Sequence, residues 1–159
     1  METGITQVYF GNGAGKTSAA LGNAVRAASE GKVVYIIQFL KGQLNSDYLK
    51  KLEPEVKVFC FERSENGFDE LSEEEKAEEA FNIKNGLGFA RKVLSTGECD
   101  ILVLDEVLGI IDEGIVTEKE FIAAIENHSP GTTVILTGRT LPERIRGFAD
   151  KVLEIVERK

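Results

Sequence analysis

The chain has 159 residues, of which 42% are hydrophobic, and 27 acidic against 19 basic residues give a formal net charge of −8 at pH 7. This length and composition predict one globular domain, residues 1–159, with enough apolar sequence for a single core. The negative charge excludes a sequence-independent attraction to nucleic acid phosphates or to an anionic membrane surface. The sequence has no basic and apolar leader and no apolar run of about 18 residues, so we expect a cytoplasmic protein.

Strands and helices are predicted in alternation along the chain. Apolar residues 8–10 end a first strand, residues 16–29 have helical spacing before Gly31, and residues 32–39 form a second strand. The remaining elements are strands at 56–61, 101–105, 132–137 and 152–156 and helices at 72–94, from 117 and from 142. This order is typical of an α/β protein with a mainly parallel sheet, helices on both faces and ligands at the carboxyl ends of the strands.

Local patterns indicate where the later helices begin and where one of them is weak. The segments 72–75 and 117–120 read Ser-x-x-Glu and Thr-x-x-Glu, which is the spacing of a capping box. Pro142 suits the first turn of the last helix. Gly86 and Gly88 lie in the middle of the long helix, where glycine costs helical stability.

A glycine-rich segment joins the first strand to the first helix, since residues 11–17 read Gly-Asn-Gly-Ala-Gly-Lys-Thr. In a phosphate-binding loop of this kind, backbone N–H groups and a lysine meet phosphate oxygens, and a hydroxyl meets Mg²⁺. Phe10 stands where the general motif has its first glycine. The alternative is a glycine-rich turn with a solvated Lys16. We favour a nucleoside triphosphate site because the strand and the helix flank the loop in the required order.

Two carboxylates end the predicted strand at 101–105. Four apolar residues precede Asp105 and Glu106, which is typical of a buried parallel strand that brings acids to a metal site. The alternative is an apolar strand whose terminal acid lies at a solvated sheet edge. Together with the glycine loop, the pair favours a metal site. Because successive strand residues point in opposite directions, we expect only one of these carboxylates to be a close Mg²⁺ ligand.

Two other segments end strands at the edge that carries the loop. Residues 38–42 follow the second strand and bring Lys41 to this edge, and residues 137–139 end the fifth strand with Arg139. A guanidinium has planar donors that suit a polyphosphate or a ribose. The alternatives are an ordinary strand exit at 38–42 and a surface ion pair for Arg139.

The chain offers no set of residues for general acid and base catalysis. Its one histidine, His128, lies in a predicted turn, and Cys60 and Cys99 have no His or Cys at metal-binding spacing. We therefore expect free thiols and catalysis by positioning and electrostatics. Two reactions of a bound triphosphate remain open on this basis: transfer of the γ-phosphoryl group and departure of the whole triphosphate.

Four segments in order, residues 11–17, 38–42, 103–106 and 134–139, together resemble the ATP:corrinoid (cob(I)alamin) adenosyltransferases of the cobalamin pathway. Residues 149–154 are similar to that family's Ala-Asp-x-Val-x-Glu ending, so the resemblance spans about residues 4–154. The family's loop also lacks the first glycine of the general motif, which accounts for Phe10. This chain departs from the family at Ala14, where a basic residue is common, and at Glu70, where tryptophan is usual.

The resemblance implies a RecA-like P-loop fold, usually in a homodimer, and the activity of a cob(I)yrinic acid a,c-diamide or cob(I)alamin adenosyltransferase. Such a transferase moves the 5′-deoxyadenosyl group of ATP to the Co(I) of a reduced corrinoid and releases triphosphate. A flavodoxin-type protein is implied as the reductant. Because Co(I) is itself the nucleophile, no catalytic base is needed.

The resemblance also assigns the site residues. Lys16 and Arg139 stabilise charge, Phe68 contacts the corrinoid, and Thr17 holds Mg²⁺ with Asp105 or Glu106. The residues implied to bind ATP are Gly11, Asn12, Gly13, Ala14, Gly15, Lys16, Thr17, Ser18, Lys41 and Arg139.

Two other functions stay open. One is a P-loop ATPase or small-molecule kinase, although a kinase lid normally carries several arginines and this chain has only Arg139, Arg144 and Arg146 late in the sequence. The other is a non-catalytic carrier of ATP or a corrinoid, in which the loop is retained but turnover is lost. Substitutions around Phe68 and Glu70 that alter corrinoid binding without altering ATP binding would exclude the kinase.

Overall fold

The computed structural model describes residues 3–40 and 47–159. The strands are β1 Thr6–Phe10, β2 Val34–Gln38, β3 Val56–Cys60, β4 Ile101–Asp105, β5 Thr133–Gly138 and β6 Lys151–Glu154. The helices are α1 Lys16–Ser29, α2 Asp47–Lys50, α3 Glu73–Thr96, α4 Gly109–Asp112, α5 Glu118–Ile125 and α6 Glu143–Phe148, and a 3-10 turn covers Phe68–Glu70. The predicted elements are confirmed with ends that differ by one or two residues. The sequence reading missed α2, α4 and the 3-10 turn.

All strand pairs are parallel, and the sheet order is β3-β2-β4-β5-β1-β6. The strand β5 therefore lies between β1, which leads into the glycine loop, and β4, which ends in the acid pair. Parallel neighbours bring their carboxyl ends to one edge of the sheet, so the predicted site segments meet at that edge.

Helices cover both faces of the sheet, as the alternating order predicted. On one face, alanines of α1 pack against β2, β4 and β5, and on the other face α3 and α5 pack over a larger core around Phe121. The central strands are apolar on both sides because both sides are covered. Within residues 3–40 and 47–159, no helix is long and apolar enough to cross a membrane.

The helix starts follow the predicted caps with one difference. The Thr117 hydroxyl and the Glu120 carboxylate form a complete capping box, and the Ser72 hydroxyl accepts the Glu75 N–H at 3.3 Å. Pro142 precedes α6 at the N-cap position, with ψ 143°, and does not lie in the first helical turn as we expected.

The two glycines of α3 have different surroundings. A Cβ at Gly86 would lie 3.2 Å from the Phe61 ring and 3.3 Å from the Phe39 ring, whereas a Cβ at Gly88 would meet nothing within 4 Å. Gly86 thus lets two aromatic rings approach the helix, while Gly88 only lowers its helical propensity.

We expect Gly88→Ala to raise the free energy of unfolding by about 0.5–1 kcal/mol, because alanine is a better helix former and the site is open. Gly86→Ala has the same propensity gain but must displace two rings, so it should be less stable than Gly88→Ala. Chemical denaturation of the three proteins measures this difference. Equal stability of the two variants would contradict the packing role of Gly86.

Candidate nucleotide-binding site

The glycine loop leaves β1 at Phe10 and enters α1 at Lys16. Gly11 has φ 125° and Gly15 has φ 108°, in the left-handed region that favours glycine. The first backbone N–H groups of α1 have no acceptor within the helix, so those of Lys16, Thr17 and Ser18 point toward the loop opening. This arrangement suits an anion.

The Lys16 ammonium lies over the loop. Its Nζ donates to the carbonyl oxygen of Gly11 at 2.8 Å and to that of Gly13 at 2.9 Å. The solvated lysine of the alternative reading is therefore not observed. Phe10 faces the core on the α6 side, where the Arg146 guanidinium carbon is 5.4 Å from its ring centroid.

Asp105 joins the acid strand to the loop. Its carboxylate is only 8% exposed and accepts the Thr17 hydroxyl, with Oγ1 at 2.9 Å from Oδ1 and 3.3 Å from Oδ2. The structure thus brings together two of the residues predicted for Mg²⁺. A buried carboxylate needs donors of this kind to offset its loss of hydration.

Thr137, at the end of β5, is a further site residue that the sequence reading quoted but gave no role. It is fully buried, its hydroxyl donates to Asp105 Oδ1 at 2.8 Å, and it accepts the Glu106 N–H at 2.7 Å. A threonine that ends an apolar strand beside the acid strand is a weak sequence signal. Its importance follows from β5 being the neighbour of β4.

Glu106 differs from Asp105 in backbone and in surroundings. Its φ of 58° lies in the left-handed region, so Glu106 is not part of the extended strand. The prediction that the two acids point in opposite directions relied on strand alternation, which therefore does not apply to Glu106. Burial and the nearby Asp105 raise the pKa of Glu106, while Lys16 and Arg139 act in the opposite direction. Its carboxylate thus interacts with both cations predicted to meet phosphate.

The other predicted residues lie as follows. Arg139 is exposed at the end of β5, and its carbonyl oxygen accepts the Gly11 N–H at 3.1 Å. Lys41 lies outside the described residues. Phe68 opens the 3-10 turn and packs partly buried on the core, with the Lys76 ammonium 5.8 Å from its ring centroid.

The Phe68 turn is connected to the same edge of the sheet. Burial and a hydrogen bond with Asp69 raise the pKa of Glu113, which caps the end of α4 just after the acid strand. Asp69, in the turn that carries Phe68, therefore lies near the segment that follows β4.

The donor set fits Mg²⁺. Among the residues that the structure describes, no group of three or more His, Cys, Asp or Glu side chains could hold a metal ion without other ligands. Mg²⁺ commonly keeps several waters and takes one or two carboxylates together with substrate phosphates. A threonine hydroxyl and two carboxylates beside a phosphate loop are consistent with that coordination.

A comparison with known protein families identifies the family of this chain. A family model described as ATP:corrinoid adenosyltransferase BtuR/CobO/CobP matches residues 2–159. The chain belongs to this family. The match covers the glycine loop, the acid strand and Phe68, so the predicted resemblance to these adenosyltransferases is confirmed.

Relatives of the adenosyltransferase family support the same assignment. The chain is 32% identical over 154 residues to the corrinoid adenosyltransferase of Escherichia coli (strain K12), covering 97% of this chain and 77% of that protein. It is 33% identical over 157 residues to the corrinoid adenosyltransferase CobA of Salmonella typhimurium (strain LT2), with the same coverages of 97% and 77%.

The solved structures confirm the predicted fold. A KaiC-like protein from the hyperthermophilic archaeon Pyrococcus horikoshii OT3 superposes with a TM-score of 0.58, covering 100% of this chain and 76% of that chain. At 18% sequence identity, this likeness shows the fold alone, which is the RecA-like P-loop architecture.

We expect Thr137→Val to lower the free energy of unfolding by about 1–3 kcal/mol, because it removes a donor from Asp105 and leaves the buried Glu106 N–H without its acceptor. Thr137→Ser keeps the hydroxyl and loses only a methyl group, so it should retain most of the stability. Denaturant unfolding of both variants measures the difference. If serine and valine are equally destabilising, the hydroxyl is not the important group.

Proposed function

We propose that this chain transfers the 5′-deoxyadenosyl group of ATP to the Co(I) of a reduced corrinoid and releases triphosphate. The observation that carries the proposal is the hydrogen bond between Thr17 of the glycine loop and Asp105 of the acid strand, in a chain that matches the adenosyltransferase family over residues 2–159. It supports one site in which phosphates and a cation meet.

The proposed reaction requires positioning and charge stabilisation from the protein. The Co(I) electron pair forms the new bond to C5′. The bond between C5′ and its oxygen breaks, and the triphosphate leaves with the electron pair of that broken bond. No proton is transferred, in agreement with a chain that offers no general base. The N–H groups at the start of α1, with Lys16 and Arg139, stabilise the charge that grows on the departing triphosphate.

We propose Thr17 and Glu106 as the direct Mg²⁺ ligands and Asp105 as the residue that orients Thr17. The Asp105 carboxylate already accepts two threonine hydroxyls, whereas the Glu106 carboxylate makes no hydrogen bond or ion pair within the described part of the chain. When bound, Mg²⁺ neutralises part of the triphosphate charge and favours its departure.

Further parts of the proposal rest on the family resemblance. These are the homodimer, the flavodoxin-type reductant and the roles of Lys41 toward ATP and of Phe68 toward the corrinoid. One shared sheet supports a single domain, residues 1–159, and a buried Cys99 outside any disulfide supports a reducing compartment such as the cytoplasm.

The arginines of α6 lie on the surface beside acidic side chains. Arg144 is 4.0 Å from Glu118, and Arg146 is 3.8 Å from Glu143 and 5.4 Å from the Phe10 ring centroid. Exposed ion pairs of this kind are weak, so the products of the assay below separate the transferase from the kinase.

The first test is an anaerobic assay with the protein, ATP, Mg²⁺ and chemically reduced cob(I)alamin or cobinamide. We expect adenosylated corrinoid and triphosphate in equal amounts, measured by corrinoid absorbance and by phosphate analysis. Lys16→Ala should lower the rate about a hundredfold or more, since it removes a principal charge on the phosphates, whereas the exposed Lys84→Ala should not.

Two outcomes would contradict the transferase. ATP binding without adenosylation of either corrinoid would leave the carrier, and release of inorganic phosphate in place of triphosphate would leave an ATPase or kinase. Phe68→Ala distinguishes the corrinoid-binding functions from an ATPase or kinase, because only a corrinoid-binding protein should lose corrinoid affinity while it keeps its ATP affinity.

A pair of amide substitutions tests the division of roles at the metal. Glu106→Gln should raise the Mg²⁺ concentration needed for ATP binding without lowering the melting temperature, because the raised pKa means that the ionised carboxylate opposes folding at neutral pH. Asp105→Asn should weaken ATP binding and lower the melting temperature, because it disturbs one partly buried and one buried hydrogen bond. An unchanged Mg²⁺ requirement in Glu106→Gln would contradict its role as a ligand.

A further inference from the structure

The segment after the last strand, residues 155–157, makes close contact with the glycine loop. The Ile155 N–H donates to the Phe10 carbonyl oxygen at 2.7 Å, and the Ile155 carbonyl oxygen accepts the Gly13 N–H at 3.0 Å. Ile155 thus forms hydrogen bonds with two residues that are three positions apart, Phe10 at the end of β1 and Gly13 in the loop. We propose that residues 155–157 act as a positioning element of the phosphate-binding loop through the Ile155 backbone. This inference rests on the proposed function of that loop.

The close approach explains two glycines of the loop without reference to phosphate. A Cβ at Gly11 would lie 2.2 Å from the Ile155 carbonyl oxygen. A Cβ at Gly13 would lie 3.0 Å from the same oxygen and 3.0 Å from the Glu157 nitrogen. Any side chain at either position must move the segment or the loop.

The same contacts decide which loop groups remain for phosphate. The Gly11 N–H donates to the carbonyl oxygens of Gly138 and Arg139 at 3.2 and 3.1 Å, and the Gly13 N–H donates to Ile155. These two N–H groups are therefore engaged by the protein. The phosphates can use the other N–H groups of the loop, those at the start of α1 and the Lys16 ammonium.

The segment also fixes the position of Lys16. The residues on either side of Asn12 present their carbonyl oxygens, Gly11 O and Gly13 O, to the Lys16 ammonium at 2.8 and 2.9 Å. Because Ile155 holds the Gly13 N–H, it helps to fix the position of the residue whose carbonyl oxygen is one of the two acceptors of Lys16. Ile155 never needs to touch the nucleotide to affect how it is bound.

The test compares Ile155→Pro with Ile155→Ala in the full chain. Proline removes the N–H that donates to Phe10, and Glu154 before it already has the extended backbone that a following proline requires. Alanine removes the side chain and keeps both backbone contacts. Affinities for ATP and for inorganic triphosphate, each with Mg²⁺, are measured by calorimetry, together with melting temperatures.

We expect Ile155→Pro to weaken binding of both ligands about tenfold, as for the loss of a well-formed hydrogen bond, and Ile155→Ala to bind as the unsubstituted protein does. Gly13→Ala, which crowds the Ile155 carbonyl oxygen and disturbs the second contact from the loop side, should weaken binding similarly. Because both substitutions loosen the attachment of one segment to one loop, the double variant should lose less affinity than the product of the two single losses. Gly13→Ala also provides the test if Ile155→Pro does not fold.

Three results would overturn the inference: triphosphate affinity unchanged in Ile155→Pro and Gly13→Ala, equal losses in Ile155→Pro and Ile155→Ala, or fully independent effects in the double variant. Lys16→Ala shows whether only the positioning role of Ile155 is wrong or the proposed phosphate site as well. If Lys16→Ala loses triphosphate affinity while Ile155→Pro does not, only the positioning role fails. If Lys16→Ala binds triphosphate normally, the phosphate site itself is wrongly assigned.

Discussion

The carboxylate of Asp105 is the group on which the rest of the site depends. It is buried at the carboxyl edge of a parallel sheet, and two threonine hydroxyls, from the start of α1 and from the end of β5, donate to it. A buried carboxylate without such donors would be strongly disfavoured, so the three elements that supply these groups are held in register. The order of the strands makes this possible, because β5 separates β1 from β4 and its last residues lie between the loop and the acids.

Charge is organised locally in a chain whose net charge opposes anion binding. The formal net charge is −8, yet Lys16 and Arg139 both act on Glu106, and backbone donors at the start of α1 add partial positive charge. The proposed site therefore brings positive groups together at this edge of the sheet in spite of the net charge. Burial, and after it the neighbouring Asp105, raises the pKa of Glu106, so a cation here would offset both the lost hydration and the repulsion between two adjacent carboxylates.

Local patterns in the sequence were sufficient for most elements and for part of the site. Helical spacing, the apolar strands and the capping box at Thr117 depend on neighbours in sequence, and the glycine loop is recognised from its own residues. The strand order, the role of Thr137 and the contact of Ile155 with Gly13 depend on residues that are distant in sequence, so no local pattern indicates them. The left-handed turn at Glu106 was missed because a strand pattern gives no sign of where extended backbone ends. The helices α2 and α4 have four residues each, which is too short for periodicity to be visible.

The position of β1 in the sheet has a consequence for how this protein acquires its binding site. Its two neighbours, β5 and β6, come from the last third of the chain, and the loop that follows β1 contacts residues as late as Glu157. During synthesis, the loop is therefore translated more than 100 residues before the strands that pair with β1. Pairing of distant segments makes folding slow, and the site forms only with the complete sheet. A nucleotide bound at the proposed site would therefore stabilise the whole folded chain by mass action.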